Sequence, residues 1–189
     1  MSWAFLHSSW FVQGIGFVAL ALTFLAFQNQ HRGRILYVHL IGCIIFAAHY
    51  ILLSAYTGAL MLLIAAARNY VFSWKGNGDT ELSVAWLYGF IAASALLMAF
   101  SWAGWISVLP VAGIILGTYG VWMEKPWHLR LLFLVSTFPW IPYTIVVHSY
   151  SGLMTQFVII VSVGIGMFRL DKEQFSRAAF LRLTRVFWE

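Results

Sequence analysis

Arg68 is the one cation in this sequence set deep inside an apolar stretch, the run AAARNYVFSW of Ala65–Trp74. A guanidinium near the centre of a membrane-length helix costs roughly 2.5–3.5 kcal/mol on insertion scales. It is therefore expected to face a bundle interior, a partner or a watery cavity. There it could bind a carboxylate or phosphate oxygen bidentately, while adjacent Asn69 offers a donor and an acceptor to hydroxyls or an amide. Two other readings stand beside this one: a tie to helix-end carbonyls of a neighbouring helix, and snorkelling to an interface about 10 Å away. No Asp or Glu lies within an apolar run. That favours an external anion or backbone carbonyls as the partner, and argues against a carboxylate relay for protons or sodium.

Other polar and aromatic groups could join such a site. His39 and Cys43 are four residues apart and share a helical face, with His49 roughly 80° around. His49 either hydrogen-bonds across the bundle or lines a path; no fourth ligand accompanies these residues, so no metal is expected. Phe138-Pro139-Trp140-Ile141-Pro142-Tyr143 sets two prolines around a tryptophan. Trp140, with neighbouring Tyr143, either stacks on a solute ring or packs as ordinary core. Pro139 and Pro142, with Pro110 upstream, free backbone carbonyls and are the candidate hinges. Gln13 and Gln156 either glue helices or line a path. No nucleophile–base pair or phosphate loop appears, so neither an enzyme nor a cofactor is expected.

The elements that must position these residues are membrane helices. The 189 residues are 62% hydrophobic and 9% charged, with a mean hydropathy of +0.85, against roughly 25% charged in soluble domains. Helices are expected over Trp10–Phe27, Ile35–Leu53, Tyr56–Trp74, Val84–Trp102, Gly104–Met123, Leu129–Val147 and Gly152–Phe168, each long enough for a bilayer core of about 30 Å. The net charge of +5 flanks these helices and is not a nucleic-acid signal. Arg32, Arg34, Lys75, Lys125, Arg130, Arg169, Lys172, Arg177, Arg182 and Arg185 follow the first, third, fifth and seventh helices; the other loops have no Lys or Arg. The positive-inside rule then puts the N-terminus out and the C-terminus in. Cys43 is the single cysteine, which rules out an intrachain disulfide. No cleavable signal peptide is expected. The tail from Asp171 reads as an amphipathic helix, lying on anionic lipid or docking a partner.

A shift of 94 positions lays helices one to three on helices five to seven without a gap, bringing Tyr56-Thr57-Gly58 onto Tyr150-Ser151-Gly152 and Lys75 onto Arg169. The odd linker helix makes the two units parallel. The expected fold is thus all-α, seven transmembrane helices in a 3+1+3 arrangement of two parallel three-helix bundles. Its parts are 1–75, the first repeat; 76–103, loop and linker helix; 104–169, the second repeat; and 170–189, the tail. This plan resembles the superfamily of SWEET sugar carriers, PQ-loop proteins and nicotinamide riboside carriers. More narrowly, TFLAFQNQHR and AARNYVFSW resemble the bacterial inner-membrane protein YgjV family. Phe27-Gln28 keeps the Gln but not the Pro that ends the first helix in the superfamily. Asn69 fits the position of the sugar-site asparagine, whose counterpart here is Val163. The resemblance implies a multi-pass protein of the bacterial inner membrane that forms a homo-oligomer, a trimer or dimer. Its expected partners are the bilayer and a small solute. The leading function is facilitated transport of a small polar or anionic metabolite (a sugar, nucleoside or carboxylate) by alternating access around Arg68, Asn69, Trp140, His49 and Tyr143. The alternative is a non-transporting sensor or assembly protein acting through its tail.

Overall fold

The computed structural model describes residues 9–75 and 82–170. The expected tail helix from Asp171 and the polar break over 76–81 lie outside the described residues. Seven α-helices and no strand occur among those described: α1 (Ser9–Phe27), α2 (Arg32–Leu52), α3 (Tyr56–Ser73), α4 (Ala85–Phe100), α5 (Val108–Trp122), α6 (Pro126–Val146) and α7 (Tyr150–Leu170). A 3₁₀ turn, Trp105–Ser107, leads into α5. By length and composition, Trp10–Phe27, Arg32–Leu52, Trp105–Trp122 and Trp127–Val146 can each cross a membrane. Large apolar side chains such as Phe17, Ile44, Leu96 and Phe138 are exposed, as a lipid-facing surface requires.

Two helices begin about a turn before the expected starts. α2 begins at Arg32 and α6 at Pro126, so that Arg32 and Arg34 sit within a helix instead of in a loop, and Arg130 lies a turn further into α6. Proline is well suited to the first helical position because its missing N–H would have no intrahelical partner there. Lys125 before it is extended, as a residue preceding proline prefers. Pro139 and Pro142 run inside α6 without ending it.

Packing follows a closed order. α1 packs on α2, α2 on α3, α3 on α5, α5 on α6, α6 on α7, and α7 back on α1, while α4 stands outside this ring against α3 and α5. The turns joining α2 to α3 and α6 to α7 contain Ser54 (φ 57°) and His148 (φ 53°), the non-glycine left-handed residues among those described. They are 94 positions apart.

Both ends of the ring are tied by polar side chains. At the basic end Arg32 donates to the carbonyls of Phe72 (2.8 Å), Lys75 (2.8 Å), Val121 (2.6 Å) and Met123 (3.0 Å). These carbonyls lie at and just past the C-terminal ends of α3 and α5, where intrahelical donors run out. Lys75 donates to the Trp122 carbonyl at 3.1 Å, lies 3.6 Å over its ring, and pairs with Glu124 at 3.6 Å. Arg130, fully buried, donates to the carbonyl of Asn29 just past α1 at 2.8 Å. At the opposite end Gln13 donates to the His148 carbonyl and accepts from the Ser151 amide, joining α1 to the start of α7.

Candidate functional site

The ring encloses a cavity of about 70 Å³, to which each of its six helices contributes and α4 does not. A space of this size holds several waters or a solute of a few heavy atoms. Its apolar wall is Phe46, Tyr50, Phe133 and Trp140; its polar groups include Arg68, Thr23, Ser136, Thr137, Thr155 and Gln156. Small residues make room. A Cβ at Gly113 would overlap the Trp140 indole, and one at Gly117 would stand 3.1 Å from Arg68 Nη2. These glycines let Trp140 and Arg68 lie directly against α5.

Arg68 is 1% exposed, so it does not snorkel. Its Nη1 donates to the Ile114 carbonyl at 2.8 Å and to the Thr118 hydroxyl at 2.5 Å, both on α5. Thr118 in turn donates to Ile114 O at 2.6 Å, so one carbonyl and one hydroxyl fix half of the guanidinium. The other half is unused. Nε is buried without a partner, and no described residue accepts from Nη2. A buried unpaired donor on a cation is costly unless something else accepts from it.

The remaining residues named from sequence divide into two groups. Trp140 is 8% exposed and lines the cavity with Arg68. Its ring meets Tyr143 edge-on at 5.7 Å and Tyr50 at 6.2 Å. Asn69 is not among the lining residues. Fully buried, it pairs through Nδ2 with His39 Nδ1 at 2.8 Å, and its Oδ1 has no partner. His49 lies towards the end opposite the basic one. Its Nδ1 donates to the Val12 carbonyl at 2.8 Å, and its Nε2 accepts from the hydroxyls of Ser149 (2.8 Å) and Ser151 (3.2 Å), joining α1, α2 and α7. Tyr143 accepts from the Gly58 amide at 2.9 Å, joining α6 to α3. His49 and Tyr143 thus bridge helices and do not line the cavity. Pro110 is buried in the first turn of α5.

Sequence reasoning missed the cavity's hydroxyls. Thr23, Ser136, Thr137 and Thr155 give no signal in a single sequence, because a Ser or Thr on an apolar helix more often bonds its own backbone. Gln28, whose place at the end of α1 carried part of the resemblance, donates to Ser162 on α7 at 2.7 Å. Among the described residues no three of His, Cys, Asp and Glu converge.

A family model described as Imp-YgjV, bacterial inner membrane protein, matches residues 10–174. No curated protein and no solved structure matches the chain.

Proposed function

Because the chain belongs to the Imp-YgjV family of bacterial inner membrane proteins, and so is a multi-pass protein of that membrane, we propose that it carries a small polar or anionic solute across it. The observation that carries this reading is the buried half-used guanidinium of Arg68 in a cavity shared by all six ring helices. A purely structural arginine would be expected to engage carbonyls with all three of its nitrogens, as Arg32 does. The carrier performs no chemical step.

In this reading α1–α3 and α5–α7 are parallel repeats joined by α4, with the N-terminus out and the C-terminus in, as in the SWEET and PQ-loop carriers the chain resembles. Features 94 positions apart support it. The left-handed residues Ser54 and His148 correspond, as do His49 and Tyr143, each of which bonds into the other unit. Alternating access then amounts to exchanging the ties at the two ends of the ring, with Pro110, Pro139 and Pro142 as hinges in the second repeat. The site is a midplane one lined by Arg68 and Trp140, with Asn69 held behind it by His39.

Counterflow in proteoliposomes tests the reading. Vesicles loaded with a mixture of carboxylates, sugars and nucleosides should accumulate at least one labelled member, and Arg68→Ala should abolish it. Absence of flux for every class would turn the reading to a non-transporting sensor or assembly role.

A further inference from the structure

The charge balance of the cavity narrows what it can hold. Arg68 contributes a full positive charge inside a ring of apolar helices. Glu124 is the only acidic residue among those described, and it sits at the basic end beside Lys75. An isolated buried charge is strongly disfavoured unless a partner neutralises it. A neutral sugar leaves Arg68 unpaired, a zwitterion leaves the net charge at +1, and a dianion over-neutralises it. A monoanion balances it.

The geometry says which monoanion. Since Nη1 is committed to Ile114 O and Thr118 Oγ1, the free edge is Nε–Nη2, two parallel donors that match a planar carboxylate. Four of the cavity's hydroxyls have the opposite character; the Gln156 amide can both donate and accept. Thr23 donates to Ala19 O, Ser136 and Thr137 both donate to Phe133 O, and Thr155 donates to Ser151 O. With their protons spent on their own helices, these hydroxyls present lone pairs. In this arrangement they accept from a ligand and do not donate to it. The cavity therefore sets the Arg68 donors on α3 against hydroxyl acceptors largely from α6 and α7, with the Gln156 amide able to play either part and Trp140 and Phe133 as an apolar wall.

We infer that the cavity binds a small hydroxy monocarboxylate, its carboxylate on the Nε–Nη2 edge of Arg68 and its hydroxyl donating to the Ser136–Thr137 pair. This deepens the carrier reading and rests on it for the cavity being a solute site. About 70 Å³ limits the ligand to a few carbons.

The test is equilibrium binding to the full-length protein in detergent, read by tryptophan fluorescence and calorimetry. The probes are lactate, propionate (no hydroxyl), alanine (zwitterion) and glycerol (no charge). Lactate should bind at least tenfold more tightly than propionate, and more tightly still than alanine or glycerol. Arg68→Gln should remove lactate binding. The double variant Ser136→Ala/Thr137→Val should keep lactate binding but collapse its advantage over propionate. Should Arg68→Gln fail to assemble, that double variant decides alone: an unchanged lactate preference overturns the assignment. Glycerol or alanine binding as tightly as lactate also overturns it, as does no binding by any probe. Flux of labelled lactate in vesicles separates the two readings. Binding without flux supports the ligand and contradicts the carrier. Flux of a neutral solute without lactate binding contradicts the ligand and leaves the carrier standing.

Discussion

Asn29 and Met123, 94 positions apart, each give a backbone carbonyl to an arginine on the second or sixth helix: Arg130 on α6 reaches Asn29, and Arg32 on α2 reaches Met123. Arg130 thereby bonds the end of α1, and Arg32 the end of α5. The basic end is closed by a crossed pair of ties, not by apolar packing alone.

Arg32 is the broader of the two ties, holding four carbonyls. Arg32→Ala should therefore destabilise the protein by about 2 kcal/mol, a charged donor's bonds being worth roughly 1.5–3 kcal/mol each before discounting for exposure and non-additivity. Arg32→Lys should recover only part of this, because an ammonium lacks the planar fork that spans two helix ends. Thermal unfolding in detergent measures both. Equal stability of Arg32→Ala and wild type would show the tie to be idle.

At the opposite end, α3 and α6 approach through Gly58. A Cβ there would stand 2.6 Å from the Tyr143 hydroxyl and 2.7 Å from its ring. Gly58→Ala should cost about 1–3 kcal/mol from overpacking. Tyr143→Ala in the same chain should return much of that loss, giving a favourable coupling in a double-mutant cycle. Strict additivity of the two changes would mean that the contact is not tight.

Ser54 holds a left-handed conformation that costs an L-residue roughly 1–2 kcal/mol. Ser54→Gly should be close to neutral, strain relief offsetting the extra freedom of the unfolded chain. Ser54→Val should destabilise by more than about 1 kcal/mol, since β-branched side chains suit this region least. The same order is expected at His148, and unfolding midpoints for the four variants check it.

The helices were legible because apolar length dominates the sequence, and the charge count gave their ends to within a turn. What was not legible is what the flanking cations do. Arg32 and Arg130 look like flanking charges that orient a membrane protein, yet Arg32 lies within α2 and Arg130 is fully buried. The orphan carbonyls at helix ends that call for them appear only once α3, α5 and the end of α1 are placed beside α2 and α6. Arg68 stood out for its cost alone. That its Nη1 would go to Ile114 and Thr118 depends on Gly117, whose missing side chain lets the guanidinium lie against α5. His49, a polar group in an apolar run, and Tyr143, beside Trp140, are both candidate lining residues by sequence. A single sequence cannot say whether such a group faces a cavity or a neighbouring backbone, and here each takes a bond to another helix.

The most direct test of the central claim is thermal unfolding of the purified protein against small carboxylates, sugars, nucleosides and phosphates, with Arg68→Ala and Trp140→Ala in parallel. A ligand at 100 times its dissociation constant stabilises the folded state by about 2.7 kcal/mol. Such a shift is expected with a small carboxylate, to be lost in Arg68→Ala and weakened in Trp140→Ala, while both variants remain folded. A shift that survives in Arg68→Ala, or none with any compound, would contradict a solute site at Arg68.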